Sequence, residues 1–504
     1  MKYFFLDKRN RVHSRNLYII NSPLPSMKKR RIKKNGKVGY KRKFRIEHDA
    51  LGKLKIPKDA LYGIETQRAL QNFPISGLKF QHEFVQAYIL IKKASAIANK
   101  KLGKLKGGKA DAIINACNLL LEGKWRDQIK VDVYQAGAGT SENMNINEVI
   151  ANLALSIIKK KRGNYNAINP HDHVNLSQST NDTFHSAIHI SALIEIRKSL
   201  LPNLRKLEKA LLQKAKQFQK TVKSGRTHLR DALPITLGQE FHTYATMIHE
   251  NIKHIEDDSK SLEELNLGGT AIGTGVDAGR QYQRRVIKEI SRATKIQFRS
   301  AKDLIEATAS LGAIARTSAS LKTLALDLIK IANDLRLLSS GPATGLDEIS
   351  LPAVQPGSSI MPGKVNPVIP EMLDMVAFQV VGNDTTISLA TQAGQLELNV
   401  MMPLAAYNLL NSIEVLSNAI FIFTEKCVKS IKANEKKCLE YLKKNPILVT
   451  ALTPHIGYKK AAEIARQAYK EEKSVQKIVE GKKILSKQQL KEIFNYKKMT
   501  IMKK

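Results

Sequence analysis

Cysteine, tryptophan and acidic residues are all scarce in this 504-residue chain. The three cysteines, Cys117, Cys427 and Cys438, form an odd, scattered set with neither disulfide-framework nor zinc-ligand spacing. A reducing, cytoplasmic setting and no metal centre are therefore expected. Long apolar runs are missing too: no stretch reaches the roughly 20 residues needed to cross a bilayer. The acid deficit is the most unusual shortage, with 45 Asp and Glu against 82 Lys and Arg, a net charge of +37. Such a field attracts polyanions. Eleven of the basic residues crowd into Lys28 to Arg45, while the rest are spread singly over helical segments, the pattern of solvated faces. Nucleic acid is accordingly not expected as the partner, whereas the same field would draw in a small dianionic substrate.

Residues 1–44 read as a flexible basic arm, broken by Pro23 and Pro25 and holding Asp7 as its sole acid. From residue 85 onward helical periodicity dominates. Leu204, Leu207, Leu211, Ala215, Phe218 and Val222 recur at steps of three or four, as do Leu321, Leu324, Leu328, Ile331 and Leu335. The stretch from Glu371 to about Lys426 is apolar on more than one face, which requires neighbours to bury it. A long helical bundle completed by other subunits is the expectation.

Three polar, glycine-bearing segments interrupt these helices. The first runs from Gln135 to Asn147 (QAGAGTSENMNIN), with a related stretch from His171 to Asp182 (HDHVNLSQSTND). Ser, Thr and Asn are poor in helix interiors but supply neutral donors suited to a carboxylate; they are equally the preferred residues of helix N-caps. The second, Gly225 to Glu240, sets His228 beside Thr227 before Pro234. A lone histidine is more often structural, although this one is titratable near neutral pH and adjoins a hydroxyl. The third, Pro356 to Pro367 (PGSSIMPGKVNP), must be a loop, because three prolines and two glycines forbid a helix. Gly357 and Gly363 are its candidate hinges. Its strip of Ser358, Ser359, Lys364 and Asn366 offers hydroxyls, a cation and an amide that a plain connector would not need.

Together the three segments resemble the fumarase and aspartase superfamily, from about Arg45 to the C-terminus, with GSSIMPGKVNP resembling its signature loop. The resemblance implies an all-α, three-domain subunit divided at 45–181, 182–436 and 437–504. It further implies a central bundle that assembles into a homotetramer, with each active site shared among three subunits. Val131–Gln135, Asn266–Gly275, Asp303–Thr308, Gly382–Thr386 and Gly394–Met401 are similar to aspartases rather than fumarases. Departures are Ala343 and Thr344 where family members usually carry Arg after Ser-Gly-Pro, and His185 where Pro is usual. Asn169 and His171 stand where fumarases have a His and an Asn of a secondary anion site.

By the same resemblance Thr140, Ser179, Thr180 and Ser359 hold the carboxylate beside the attacked carbon of a small dicarboxylate, and Thr227, Lys364 and Asn366 hold the other. Asn181 and His228, with Thr140, receive an amino group. Ser358 is the implied general base, delivered by closure of its loop, and Glu371 orients His228. Elimination of ammonia from aspartate is the expected reaction, with malate dehydration as the rival. It requires no organic cofactor; some relatives respond to divalent cations, but no ligand set can be named from this sequence.

Overall fold

The structure, a computed structural model, describes residues 43–501. The arm expected over 1–44 lies, apart from its last two residues, outside them. A hairpin of β1 (Phe44–Asp49) and β2 (Gly52–Pro57) leads into α1 (Ile64–Asn72), α2 (His82–Lys101), α3 (Gly107–Leu121), α4 (Thr140–Ile157), α5 (Thr180–Glu195) and α6 (Leu201–Gln217). A second hairpin, β3 (Val222–Thr227) and β4 (Arg230–Thr236), precedes α7 (Leu237–Asp258). Then come β5 (Glu264–Leu265), α8 (Arg280–Thr294), β6 (Arg299–Ser300), α9 (Glu306–Ala309) and α10 (Gly312–Leu338). After β7 (Ile349–Ser350) follow α11 (Val368–Gln392), α12 (Met402–Lys426), β8 (Lys432–Ala433) and α13 (Glu435–Lys444), and short helices continue to Met499. The architecture is helical, as expected. Among the described residues four two-stranded sheets accompany the helices.

The leucine spacing explains the bundle. Leu321, Leu324, Leu328, Ile331 and Leu335 are all fully buried along one side of α10, which packs on α11 and α7, while α11 packs on α12. Each such side chain contributes about 1.5–3 kcal/mol relative to an exposed one. The α6 periodicity stops sooner than expected: Phe218 caps the helix at Gln217, and Val222 opens β3 instead. β-branched Thr221 and Val222, followed by Gly225, are weak helix formers, and pairing with β4 wins. The apolar stretch after Glu371 becomes two helices rather than one. The Asn399 side chain donates to Ala390 O and Thr391 O (2.9 and 3.1 Å), closing the end of α11, and Pro403 sits in the first turn of α12. On the outer side of α11, Met375 and Phe378 remain 65% and 59% exposed within the single subunit. One apolar core runs from Ile56 to Ile431, and a separate one joins Leu442 to Phe494. Among the described residues no helix is long and apolar enough to cross a membrane.

Candidate active site

Thr140 opens α4 behind a tight turn. Ala138 and Gly139 both have positive φ (61° and 84°), and Ala138 N donates to Val400 O at 2.9 Å. A Cβ on Gly139 would lie 2.0 Å from the Phe184 ring, so only glycine lets α5 approach α4 here. The Thr140 side chain is exposed and faces a cavity of about 650 Å³ that Ser141, Arg68, Glu65, Asn169 and His171 also line. A hydrogen bond from His171 Nε2 to the Glu65 carboxylate raises the imidazole above its ordinary range.

Most of the other polar residues of the first segment are scaffold. Asn145 accepts from Lys130 N (2.7 Å) and donates to Gln128 O (3.0 Å), while Asn143 and Asn147 both donate to the Asn175 side chain. Glu148 accepts from the backbone of Gly63, Glu65 and Thr66 at the start of α1. Apart from Asn147 Oδ1, which has no hydrogen-bond partner among the described residues, these buried amides and carboxylates are satisfied rather than available.

The Ser179–Asn181 group forms the first turn of α5, as the helix-cap reading expects. Ser179 is a cap, its Oγ accepting from Asn181 N (3.2 Å) and its own N–H donating to Asp182 Oδ1 (3.0 Å). Asp182, fully buried, also accepts from Gly268 N and Thr270 N (2.9 and 3.1 Å); burial pushes its carboxyl up to about 7 against the pull of these donors. The glycine-rich run 266–275 is thereby wrapped around the helix start. Asn181 Nδ2 donates to Ala271 O at 2.7 Å. A carbonyl only accepts, so this bond fixes the amide orientation and leaves Asn181 Oδ1 as an acceptor. His185 lies one turn further, buried against His189 with ring centres 4.5 Å apart, its Nε2 at Ser310 O (3.2 Å).

Thr227 and His228 sit at the tip of the β3–β4 hairpin, both exposed. Thr227 pairs with Arg230 across a two-residue turn in which His228 and Leu229 have φ of 53° and 56°. For Leu229, 74% exposed, that conformation is strained and no apolar contact explains it. The hairpin base is held firmly. Fully buried Glu348 takes both Arg226 guanidinium nitrogens (3.1 and 3.0 Å) and Lys223 Nζ (2.8 Å).

Glu348 stands just before β7, from which the signature loop runs to α11. Gly357 N donates to Lys364 O (2.7 Å) and Asn366 Nδ2 to Gly357 O (2.6 Å), closing the loop on itself. Gly357 is therefore pinned and not a free hinge, since a Cβ there would meet Asn366 N and Lys364 O at 2.7 Å; Gly363, at φ 81° with open space around it, retains that freedom. Ser358 Oγ accepts from Ile360 N (3.2 Å) and Met361 N (2.9 Å). Ser359 and Lys364 are exposed, and Ile360 is 84% exposed. Glu371 lies in the first turn of α11, and among the described residues no hydrogen bond joins it to His228.

Within one subunit the expected residues thus fall into separate groups. Thr140 and Ser179–Asn181 share one end of α4 and α5, Thr227–His228 sit on the hairpin that Glu348 holds, and Ser358–Asn366 lie on the separate loop ahead of α11. Glu348 had no distinctive sequence signal, and Asp182 closed a polar stretch without a role assigned to it. Among the described residues no cluster of three or more His, Cys, Asp or Glu offers a metal site.

The lyase family model matches residues 52–382, and a fumarase C C-terminal model matches 448–501. An aspartate ammonia-lyase of Bacillus subtilis is 48% identical over 91% of this chain and 96% of its own. A class II fumarate hydratase of Bacillus cereus is 45% identical over 90% and 98%. A fumarate lyase:delta crystallin of Brucella melitensis, solved bound to cobalt, superposes with a TM-score of 0.88 at 44% identity, covering 91% of this chain and all of that one. The chain therefore belongs to this lyase family, within the aspartase and fumarase superfamily.

Proposed function

We propose that the chain is an aspartate ammonia-lyase that reversibly eliminates ammonia from L-aspartate to give fumarate. The observation that carries this reading is the Asn181 amide. With its nitrogen committed to Ala271 O, its Oδ1 is left as an acceptor in the first turn of α5, beside Ser179 and Thr180 in the chain. An ammonium needs acceptors, whereas the hydroxyl of malate must gain a proton as it leaves.

In this reading Ser358 Oγ removes a proton from the carbon next to one carboxylate. The electron pair passes into that carboxylate, then returns to form the double bond as the C–N bond breaks and ammonia departs. Thr140, Ser179, Thr180 and Ser359 hold the carboxylate that takes up charge; Thr227, Lys364 and Asn366 hold the other; Asn181 and His228 receive the amino group, with Glu371 orienting His228. A serine hydroxyl is a weak base unless its anion is stabilised. The two backbone N–H groups directed at Ser358 Oγ supply that stabilisation in advance. Closure of the loop about Gly363 would bring the base in and exclude water. The residue groups come from three subunits of a homotetramer, which would also cover Met375 and Phe378. The reaction proceeds in the cytoplasm without organic cofactor, since no step is a redox step.

A second reading, class II fumarate hydratase, is favoured by the near-equal identity to the hydratase relative. One assay separates them: purified protein should raise ultraviolet absorbance with L-aspartate and not with L-malate, and the reverse reaction should need ammonium. Rapid fumarate formation from malate with aspartate inert would make the chain a hydratase.

A further inference from the structure

Two buried lysines of this protein are treated in opposite ways. Lys223 meets two carboxylates, Glu240 and Glu348. Lys92, on α2 and wholly inside the protein, makes no ion pair among the described residues; its Nζ donates to two amide oxygens, Asn143 Oδ1 at 2.7 Å and Asn175 Oδ1 at 2.9 Å, and stands 5.4 Å from the centre of the Tyr88 ring. Burial draws the Lys92 ammonium down to about 7, with Asp182 opposing. An amine buried this way gives folding little, because desolvation offsets what neutral partners return, and a methionine of similar length would fill the space more cheaply.

The partners show what the lysine does instead. Asn143 is one turn along α4 from Thr140. Asn175 stands in the turn that enters α5, four residues before Ser179, and its Oδ1 also accepts from Asn143 Nδ2 (3.3 Å) and Asn147 Nδ2 (3.1 Å). Its own Nδ2 donates to Gln178 O at 3.1 Å, fixing the peptide that leads into Ser179. One turn back on α2, Tyr88 Oη lies 2.9 Å from Thr183 Oγ1, which donates to Ser179 O at 2.8 Å. A single face of α2 therefore grips the first turn of α4 and the first turn of α5 together.

We infer that Lys92 is a positioning residue for the elimination, locking the Thr140 and Ser179–Thr180 hydroxyls at the spacing needed by a carboxylate that gains charge. The inference rests on the function proposed above. It deepens that reading by placing the control of the donor geometry on α2, a helix that holds none of the residues expected to touch substrate. Preorganised donors act through fixed position, and a displacement of about 1 Å can cost roughly 100-fold in rate.

The test uses the assembled full chain. Lys92→Met removes the amine; Asn175→Ala removes the acceptor and leaves Lys92 in place. Each should lower kcat by about 100-fold while changing KM by less than about 3-fold, because the lost stabilisation belongs to the transition state. Oligomer size and circular dichroism should match wild type. The double variant should lose no more than the worse single one, since both break the same network. Folded single variants with kcat within about 3-fold of wild type, or losses that multiply in the double variant, overturn the inference. A Lys92→Met protein that fails to fold leaves Asn175→Ala to decide alone by the same criteria. Wild type is assayed alongside on both L-aspartate and L-malate. If it uses malate, the substrate reading fails and the variants are judged on malate, because the same hydroxyls hold the carboxylate. Silence of wild type on both acids overturns the reading and this inference with it, whereas active wild type with unimpaired variants overturns the inference alone.

Discussion

The start of α4 and α5 and the loop from 351 to 367 hold equally polar sequences, yet the protein finishes one and leaves the other open. Around Thr140 and Ser179 nearly every amide and carboxylate is bonded inward, to Asn175, to Gly268 or to the start of α1, and the site hydroxyls ride on that lattice. In the loop, among the described residues, the bonds run between its own residues, Gly357 with Lys364 and Asn366, and Ser358 with Ile360 and Met361, apart from those into the start of α11. Its apolar side chains, Ile360 and Val365, face outward. A surface of this kind is shaped in advance and left exposed, which suits the role proposed for Ser358 as a base delivered on loop closure. The same physical need, donors at fixed places, is met by packing in one region and by a self-closed loop in the other.

That contrast predicts opposite signatures for mutations. The largest effect belongs to the open loop. Ser358→Ala should reduce turnover by at least about 10³-fold, equivalent to about 4 kcal/mol in barrier, with a melting temperature within about 1 °C of wild type, because an exposed turn loses little. A variant with near-normal turnover would move the base elsewhere.

The β3–β4 hairpin is held through Glu348, and Glu348→Gln should cost stability as well as rate. It leaves Lys223 and Arg226 facing a neutral amide in the interior, a loss of about 3 kcal/mol, readable as a lower midpoint in urea unfolding. An unchanged midpoint would mean that the hairpin carrying His228 is not anchored through this carboxylate.

Within the finished region, Gly139→Ala should destabilise by about 2–3 kcal/mol, since the new methyl group meets the Phe184 ring at a backbone φ of 84°. Turnover should fall with stability here, because Thr140 is the next residue. Retained activity with lowered stability would show that Thr140 tolerates movement.

Much of this was legible before the structure. The three-four spacing of Leu321 to Leu335 gave a buried helix face, and the prolines of 356–367 gave a loop, because both rest on local rules that tertiary contacts reinforce. The end of α6 was misplaced because Phe218 and Val222 continue an apolar rhythm that the hairpin overrides. The role of Asn143, Asn145 and Asn147 was not legible at all. An asparagine that binds substrate and one that holds a neighbouring peptide look alike in sequence, and only burial separates them. Glu348 and Lys92 stayed hidden for a related reason: their partners lie 122 and 83 residues away.

The smallest effect tests whether the finished region carries a cost that the loop does not. Glu142, in the first turn of α4, is 1% exposed, and its Oε1 has no hydrogen-bond partner among the described residues. A helix N-terminus favours an anion, but burial is the larger influence here and pushes the carboxyl from 4.5 up to about 8, with Lys79 opposing. In the unfolded chain the group ionises near its ordinary value. Between pH 4.5 and about 8 the folded protein therefore binds the proton that the unfolded chain has lost, so stability from this group is full at low pH, falls across that window and levels off above it. Glu142→Gln, which cannot ionise, should match wild type at pH 4.5 and exceed it at pH 8, as read from urea midpoints at the two pH values. Asp182 and Glu148, also raised by burial to about 7, titrate in the same window, yet they are present in both proteins and largely cancel in the difference. Parallel curves for the two proteins would mean that the carboxyl finds a counter-charge in the folded state, and the closed lattice at the head of α4 would then be free of the strain attributed to it.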